Sequence, residues 1–330
     1  MSGWATDLVE ALGIRAEQIG LRADMPGDEF ETALGSFLAF EKALPVVGKF
    51  GYVGTPGAPQ MGVDSNFQAW FNTANGAVQE VRHALWHNLF VTYGRDQIDD
   101  VAATTQYDAL HAALRVADGS GPESWIAHAT TNYDTAIETA LGSKAKDGFV
   151  ERSGQGSPVY APDTLTSGWE STAEIPVVHL HGAVGWYYRQ DGSITRLPAD
   201  ENYDDRRAPA LLLPDDTKGV DTFTKPQVET WGQFRRLLQM STHVVFIGHS
   251  LHDAHIVDAV VERDLSVCVI AHGKRDSTGT LPRPADSKVS QVRSYIPKAF
   301  VVMGELEGKN TTQPFDTNEV GKWMISTTSL

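Results

Sequence analysis

From residue 121 onward, short apolar runs alternate with amphipathic ones, and this alternation constrains the fold more than any other feature. Ser124–Thr131, Pro176–Leu180, Thr242–Gly248, Leu265–Ala271 and Ala299–Met303 are short, mostly apolar and bounded by turn formers, which predicts buried strands. Pro209–Leu213 reads as a further strand. Between them, Thr135–Leu141, Val228–Met240, Asp253–Arg263 and Ser287–Tyr295 have helical spacing. Thr135 and Glu138 stand at capping-box spacing, and Gly142 suits the helix end. Strands that alternate with helices must cover both faces of a parallel sheet, so the expected class is a Rossmann-like α/β fold.

The first half differs. Residues 29–44 place Phe30, Ala33, Leu34, Phe37, Leu38 and Leu44 on one helical face, and Pro45 ends the run. Further helices are expected over about 77–92 and 107–117, with a Gly/Pro-rich loop from Gly51 to Gly62. The expected organisation is a single domain. It has a mainly helical insertion or subdomain over about 14–120, a Rossmann-like core over about 121–306, and a loose polar tail over 307–330. Residues 143–174, rich in Gly, Ser and Pro, read as an insertion or loop.

Composition excludes several classes. Nowhere is there an apolar stretch of membrane-spanning length, and Met1–Asp7 lacks the basic-then-apolar pattern of a signal peptide, so a cytoplasmic location is the default. Cys268 is the only cysteine, which rules out an intramolecular disulfide and a cysteine-based zinc site. A net charge of −15 repels phosphate backbones, so nucleic acid is not an expected partner. Oligomeric state is left open, a homo-oligomer included.

In an open parallel sheet, ligands bind beyond the C-terminal ends of the strands. Three such ends carry polar clusters: Thr130, Thr131, Asn132, Tyr133 and Asp134; then His179, Leu180, His181 and Gly182; then Gly248, His249, Ser250, Leu251, His252, Asp253 and His255.

These segments are recognisable. T-T-N-Y-D-T-A-I-E at 130–138, V-V-H-L-H-G at 177–182 and V-F-I-G-H-S-L-H-D-A-H-I at 245–256 resemble, in order and spacing, the sirtuin-like superfamily. L-L-L-P-D-D-T-K at 211–218, followed by Trp231, is similar to the spacing of its bacterial, defence-type members. The resemblance covers roughly 120–260. It implies a nicotinamide nucleotide, NAD, as substrate, with no metal. Asn132 would contact the nicotinamide ribose and position a water; His181 would be the general base, a task for a group titrating near neutrality. Thr130, Thr131, Asp134, Gly182, Gly248, His249, Ser250 and Asp253 would form the nucleotide-binding turns. Gly248 would admit the backbone close to the nucleotide, Ser250 would hydrogen-bond a phosphate or ribose, and Asp253 would also cap the following helix.

Blander readings stand beside these. Asn132 also suits an Asx turn, and His179 reads as an ordinary packed or surface histidine. Tyr133 and Trp186 read as packing groups. His249, His252 and His255 span a turn and a helix start without supporting carboxylate or thiol spacing, so no metal is expected there. His83 and His87 lack the glutamate of H-E-x-x-H, since Ala84 follows His83.

The resemblance implies cleavage of NAD to nicotinamide and ADP-ribose, with a role in antiphage defence. The alternatives are a non-catalytic nucleotide-binding or partner-docking module and, further off, an NAD-dependent protein deacylase, whose usual four-cysteine zinc module one cysteine cannot supply. The family normally opens with a strand and a Gly-Ala-Gly-type loop that holds the NAD pyrophosphate at a helix N-terminus. The chain shows no such loop near its start, and Gly51–Gly57 follows a helix rather than a strand. Residues 2–13, S-G-W-A-T-D-L-V-E-A-L-G, look like what usually follows that loop. The expectation is that about thirty residues precede this segment in a complete family member. It predicts that in-frame DNA upstream of codon 1 encodes a strand followed by Gly-Ala-Gly, and that mass spectrometry of the endogenous protein finds an N-terminus ahead of Met1. An endogenous chain starting at Met1 would reject a misassigned start.

Overall fold

A computed structural model describes residues 126–151, 157–167, 174–189, 191–196, 210–212, 227–273, 280–304 and 317–328, with scattered positions between 9 and 111. The expected helices at 29–44, 77–92 and 107–117 lie mostly outside the described residues, as does the loop at 51–62. Within them, Glu29, Thr32, Ala33, Ser36, Phe37, Val78, Leu110 and His111 are helical.

In chain order the described elements are β1 (His128–Thr130), α1 (Ala136–Leu141), β2 (Ala145–Lys146), β3 (Phe149–Val150), β4 (Val159–Tyr160), α2 (Asp163–Thr166), β5 (Ile175–His179), β6 (Trp186–Tyr188), β7 (Ile194–Arg196), α3 (Gln227–Met240), β8 (His243–Ile247), α4 (Ala254–Val261), β9 (Ser266–His272), α5 (Asp286–Tyr295), β10 (Phe300–Gly304) and α6 (Thr317–Thr328). Parallel sheets flanked by helices define a mixed α/β, Rossmann-like architecture.

One parallel sheet has the order β1-β5-β2 and the other β10-β9-β8. All five residues of β5 are buried, as a strand covered on both faces requires. The apolar residues of α3 recur at helical spacing and bury Trp231, Phe234, Leu237 and Leu238. Ile256, Val257 and Val260 do the same on α4. One hydrophobic cluster joins these helices to Val178 of β5 and Leu180 just after it, to Phe246 of β8 and to Val267 and Val269 of β9. The polar ends of β5 and β8 are therefore anchored to the same packed body.

Three sequence expectations need correction. Residues 143–174 are not merely loop: β3 and β4 join β7 and β6 in a four-stranded antiparallel sheet of order β3-β4-β7-β6. Its stabilisation comes from Phe149, Tyr160 and Trp186, whose ring centroids lie 5.0–5.3 Å apart. Hydrophobic contact between short strands outweighs the turn-forming composition around them.

The strand expected at Pro209–Leu213 is absent from the described part, Ala210–Leu212. The Ala210 N–H donates to the Trp186 carbonyl (2.9 Å) and the Leu212 N–H to the His181 carbonyl (2.8 Å), so the segment is a tie across a turn rather than a ladder strand.

The polar tail contains α6. Val320 and Trp323 are buried and Met324 is half-buried, packed with Cys268, Ile270 and Val302. Trp323 meets His243 edge-on at 5.2 Å and stacks on Phe300 at 6.3 Å. Val320, Trp323 and Met324, at i, i+3 and i+4, suffice for one buried stripe in a helix that is otherwise mostly polar. Burial in this cluster pushes the Cys268 thiol up to about 12, so it is an inert packing group.

With only 7% of Trp323 exposed, Trp323→Ala is expected to destabilise the fold by about 3 kcal/mol in urea unfolding. A change near zero would show that α6 does not belong to the folded body.

Candidate functional site

The pairing of β1 with β5 sets the site. The strands run parallel with Thr130 opposite His179. Asn132 and His181 each follow two residues after this last pair, in the turns that leave the adjacent ends of β1 and β5. The Leu180 N–H donates to the Thr130 carbonyl (2.9 Å) and closes this last pair of the ladder.

Beyond the strand ends, a set of hydrogen bonds fixes both turns. The Asn132 N–H donates to Thr130 Oγ1 (3.0 Å), which leaves the Asn132 side chain exposed and Thr131 half-buried beside it. Tyr133 is buried and donates its hydroxyl to the Leu212 carbonyl (2.6 Å). Leu212 in turn donates its N–H to His181, and Val184 donates to the Tyr133 carbonyl (2.8 Å). The residue after Asn132 is thus bonded to the segment that holds His181. Gly182 completes the turn at φ +77°; a Cβ there would sit 2.1 Å from the Ala210 carbonyl oxygen, so only glycine fits.

The His181 ring is 3% exposed. Its centroid lies 6.5 Å from that of Tyr133 and 6.4 Å from that of His255.

Beneath the Asn132 turn lies a buried pair that the sequence did not reveal. His179, 0% exposed, makes a 2.6 Å contact from Nε2 to Glu138 Oε1 and a 3.3 Å contact from Nδ1 to the Asn132 carbonyl. Both acceptors are oxygens, so both ring nitrogens act as donors and the ring is an imidazolium. Burial opposes that charge, but the Glu138 carboxylate, its hydrogen bond and the Asn132 carbonyl outweigh it and raise the His179 pKa. For Glu138, burial is likewise outweighed by the charge and hydrogen bond of His179, and its pKa is lowered. The pair is charged, desolvated and clamped on the backbone of Asn132. Glu138 therefore does not close a capping box, and Thr135 makes no side-chain cap either; Asp134 Oδ1 accepts the Ala136 N–H instead (3.0 Å). Capping-box spacing misdirected the reading of Glu138. The usable signal was His179 itself, the one ionisable residue in an otherwise apolar β5.

At the end of β8, Gly248 is exposed at φ +65°, and its N–H donates to the Ile270 carbonyl (3.3 Å). Leu251 is buried at φ +64°, a left-handed conformation that a branched side chain adopts only under constraint. His249 Nδ1 accepts the Leu251 N–H (2.9 Å), and Ser250 Oγ, exposed, accepts the His252 N–H (3.4 Å). Asp253 occupies the N-cap position of α4, and its carbonyl accepts the Ile256 and Val257 N–H groups, but its side chain makes no capping bond. Its carboxylate lies 3.6 Å from His249 Nε2. It also lies with His181 and His255 in a cluster whose three ligand-type atoms are within 4.8 Å of one another. The second and third polar turns therefore meet. His252 stands apart, exposed and 6.0 Å from the Tyr295 ring.

Residues 127–263 match the family model described as SIR2-like domain. This segment is a sirtuin-like domain, and it spans β1 to the end of α4, all three polar turns included. No curated protein matches the chain.

The Glu138–His179 pair sets a pH window. The Glu138 contribution is present above the ordinary carboxylate value of 4.5 and is lost as pH falls through its lowered value. The His179 contribution is full below the ordinary imidazole value of 6.5 and is lost as pH rises through its raised value. Glu138→Gln is expected to cost about 3 kcal/mol or more in chemical unfolding at about pH 5.5, since it strands a buried charge, and less at about pH 9. Equal costs at the two pH values would show that the pair is not ionised.

Proposed function

We propose that the chain cleaves the glycosidic bond of NAD, releasing nicotinamide and ADP-ribose. The observation that supports this reading is the pairing of β1 with β5, from whose adjacent ends the exposed Asn132 and the buried His181 each follow within two residues, inside the segment that matches the SIR2-like domain model.

The chemistry needs little beyond those two groups. Nicotinamide departs as a neutral molecule, taking the C–N bonding pair onto its cationic ring nitrogen and leaving an oxocarbenium-like ribose carbon. Asn132 orients the ribose and a water. The water oxygen bonds to that carbon, and its proton passes to the neutral His181 ring. The carbonyl of Asn132 is held by the His179 imidazolium, which fixes the turn while the side chain engages substrate. Gly248 and Ser250, at the end of β8, suit the rest of the nucleotide: the glycine has no side chain to block the backbone, and the serine hydroxyl is exposed. Thr130 and Asp134 act one step back, by shaping the Asn132 turn and starting α1. An antiphage role is the biological setting in which such a hydrolase would serve.

Chromatographic assay of nicotinamide release from NAD by the purified chain tests the reading. Asn132→Ala and His181→Ala are each expected to lower turnover about 10²- to 10⁴-fold, the usual weight of a positioned acid–base group. Nucleotide binding without turnover by the unmutated chain would instead favour a sensing or docking module.

A further inference from the structure

His181, Asp253 and His255 come from two different turns, yet each presents a ligand-type atom within 4.8 Å of the other two. Metal–nitrogen and metal–oxygen bonds of about 2.0–2.2 Å require neighbouring ligand atoms on the order of 3–4 Å apart, so small side-chain rotations close the set around one ion. Two imidazoles and one carboxylate are the donor set of open zinc and non-haem metal sites, with room left for solvent; magnesium and calcium would demand oxygen donors instead.

The surroundings support the ligands rather than merely containing them. The Trp231 ring lies 4.7 Å from that of His255 and limits its rotation. His249 Nδ1 accepts a backbone N–H, so a neutral His249 carries its proton on Nε2, the atom 3.6 Å from Asp253 Oδ2. At that distance the two do not hydrogen-bond, but a small shift of the carboxylate toward an ion's partners would bring it within reach of this donor, the kind of outer partner that orients a ligating carboxylate. The Asp253 side chain sits where a helix cap is expected and does not cap.

From this geometry we propose that His181, Asp253 and His255 bind one divalent transition ion of the zinc class, and that the bound ion switches off NAD cleavage by occupying the imidazole of His181. A neutral imidazole has one lone pair in the ring plane. Coordination consumes it at whichever nitrogen is used, and the other nitrogen is then N–H, so the ring can no longer take a proton from water. The switching half rests on the proposed NAD cleavage; the binding half does not.

The test uses the full chain after chelator treatment and dialysis. Co²⁺ is titrated in while its visible d–d bands are followed, Zn²⁺ is titrated by calorimetry, and NAD turnover is measured with and without Zn²⁺. One ion per chain is expected, with Co²⁺ bands of a low-coordinate site that Zn²⁺ displaces. Asp253→Asn and His255→Gln should each weaken binding at least about tenfold, as loss of even an outer-shell partner does. Each variant's turnover, relative to its own metal-free rate, should lose its sensitivity to Zn²⁺. His249→Ala should weaken binding about tenfold while leaving the band positions in place, because it removes only the partner of a ligand. Absence of the bands, or bands and affinity untouched by both ligand variants, overturns the metal site whatever the turnover. Binding as expected with no NAD cleavage by the metal-free chain overturns the NAD reading and the switch, and leaves the site standing. Cleavage undiminished by saturating Zn²⁺ overturns the switch.

Discussion

The β1–β5 register is the constraint on which the candidate site depends. Two parallel strands with Thr130 facing His179 fix where the Asn132 and His181 turns begin. A slip of one residue would turn His181 to the opposite face and bury a different side chain beside Tyr133. What guards the register is the Glu138–His179 pair, which links α1, β5 and the Asn132 backbone at one buried point. A desolvated ion pair is a poor source of net stability, but breaking it is costly, which makes it a strong device for specifying one arrangement over its neighbours.

The same logic explains why so much of the site is built from backbone bonds. Tyr133 to Leu212 and Leu212 to His181 form a chain that closes around the two turns without using either candidate catalytic side chain. Gly182 permits the closest approach in that chain, under the Ala210 carbonyl. The left-handed Leu251 plays the corresponding part in the third turn, turning the chain sharply between Gly248 and α4. Rigid backbone around exposed or reactive side chains is what a site held ready for a nucleotide requires.

The strands that carry the turns were legible in the sequence because each is a short apolar run between turn formers, and burial on both faces is what parallel strands need. The order of the polar clusters was legible for the same reason. Other features were hidden for physical causes. Glu138 sits at capping-box spacing, and local spacing says nothing of a partner on another strand. The aromatic cluster of Phe149, Tyr160 and Trp186 draws together short strands separated by polar chain, which periodicity does not register. Trp323 anchors a helix within a segment whose average polarity suggested none. The cluster of His181, Asp253 and His255 is a product of the fold, since His181 joins it from another strand end while His252, next to Asp253 in sequence, stands apart.

A crystal structure of the chain with ADP-ribose would examine the central claim most directly. The terminal ribose is predicted to lie between the Asn132 side chain and the His181 ring, with the phosphates toward the Gly248–Ser250 turn. A ribose bound elsewhere, or Asn132 and His181 side chains that point to separate surfaces with the ligand touching only one of them, would contradict it.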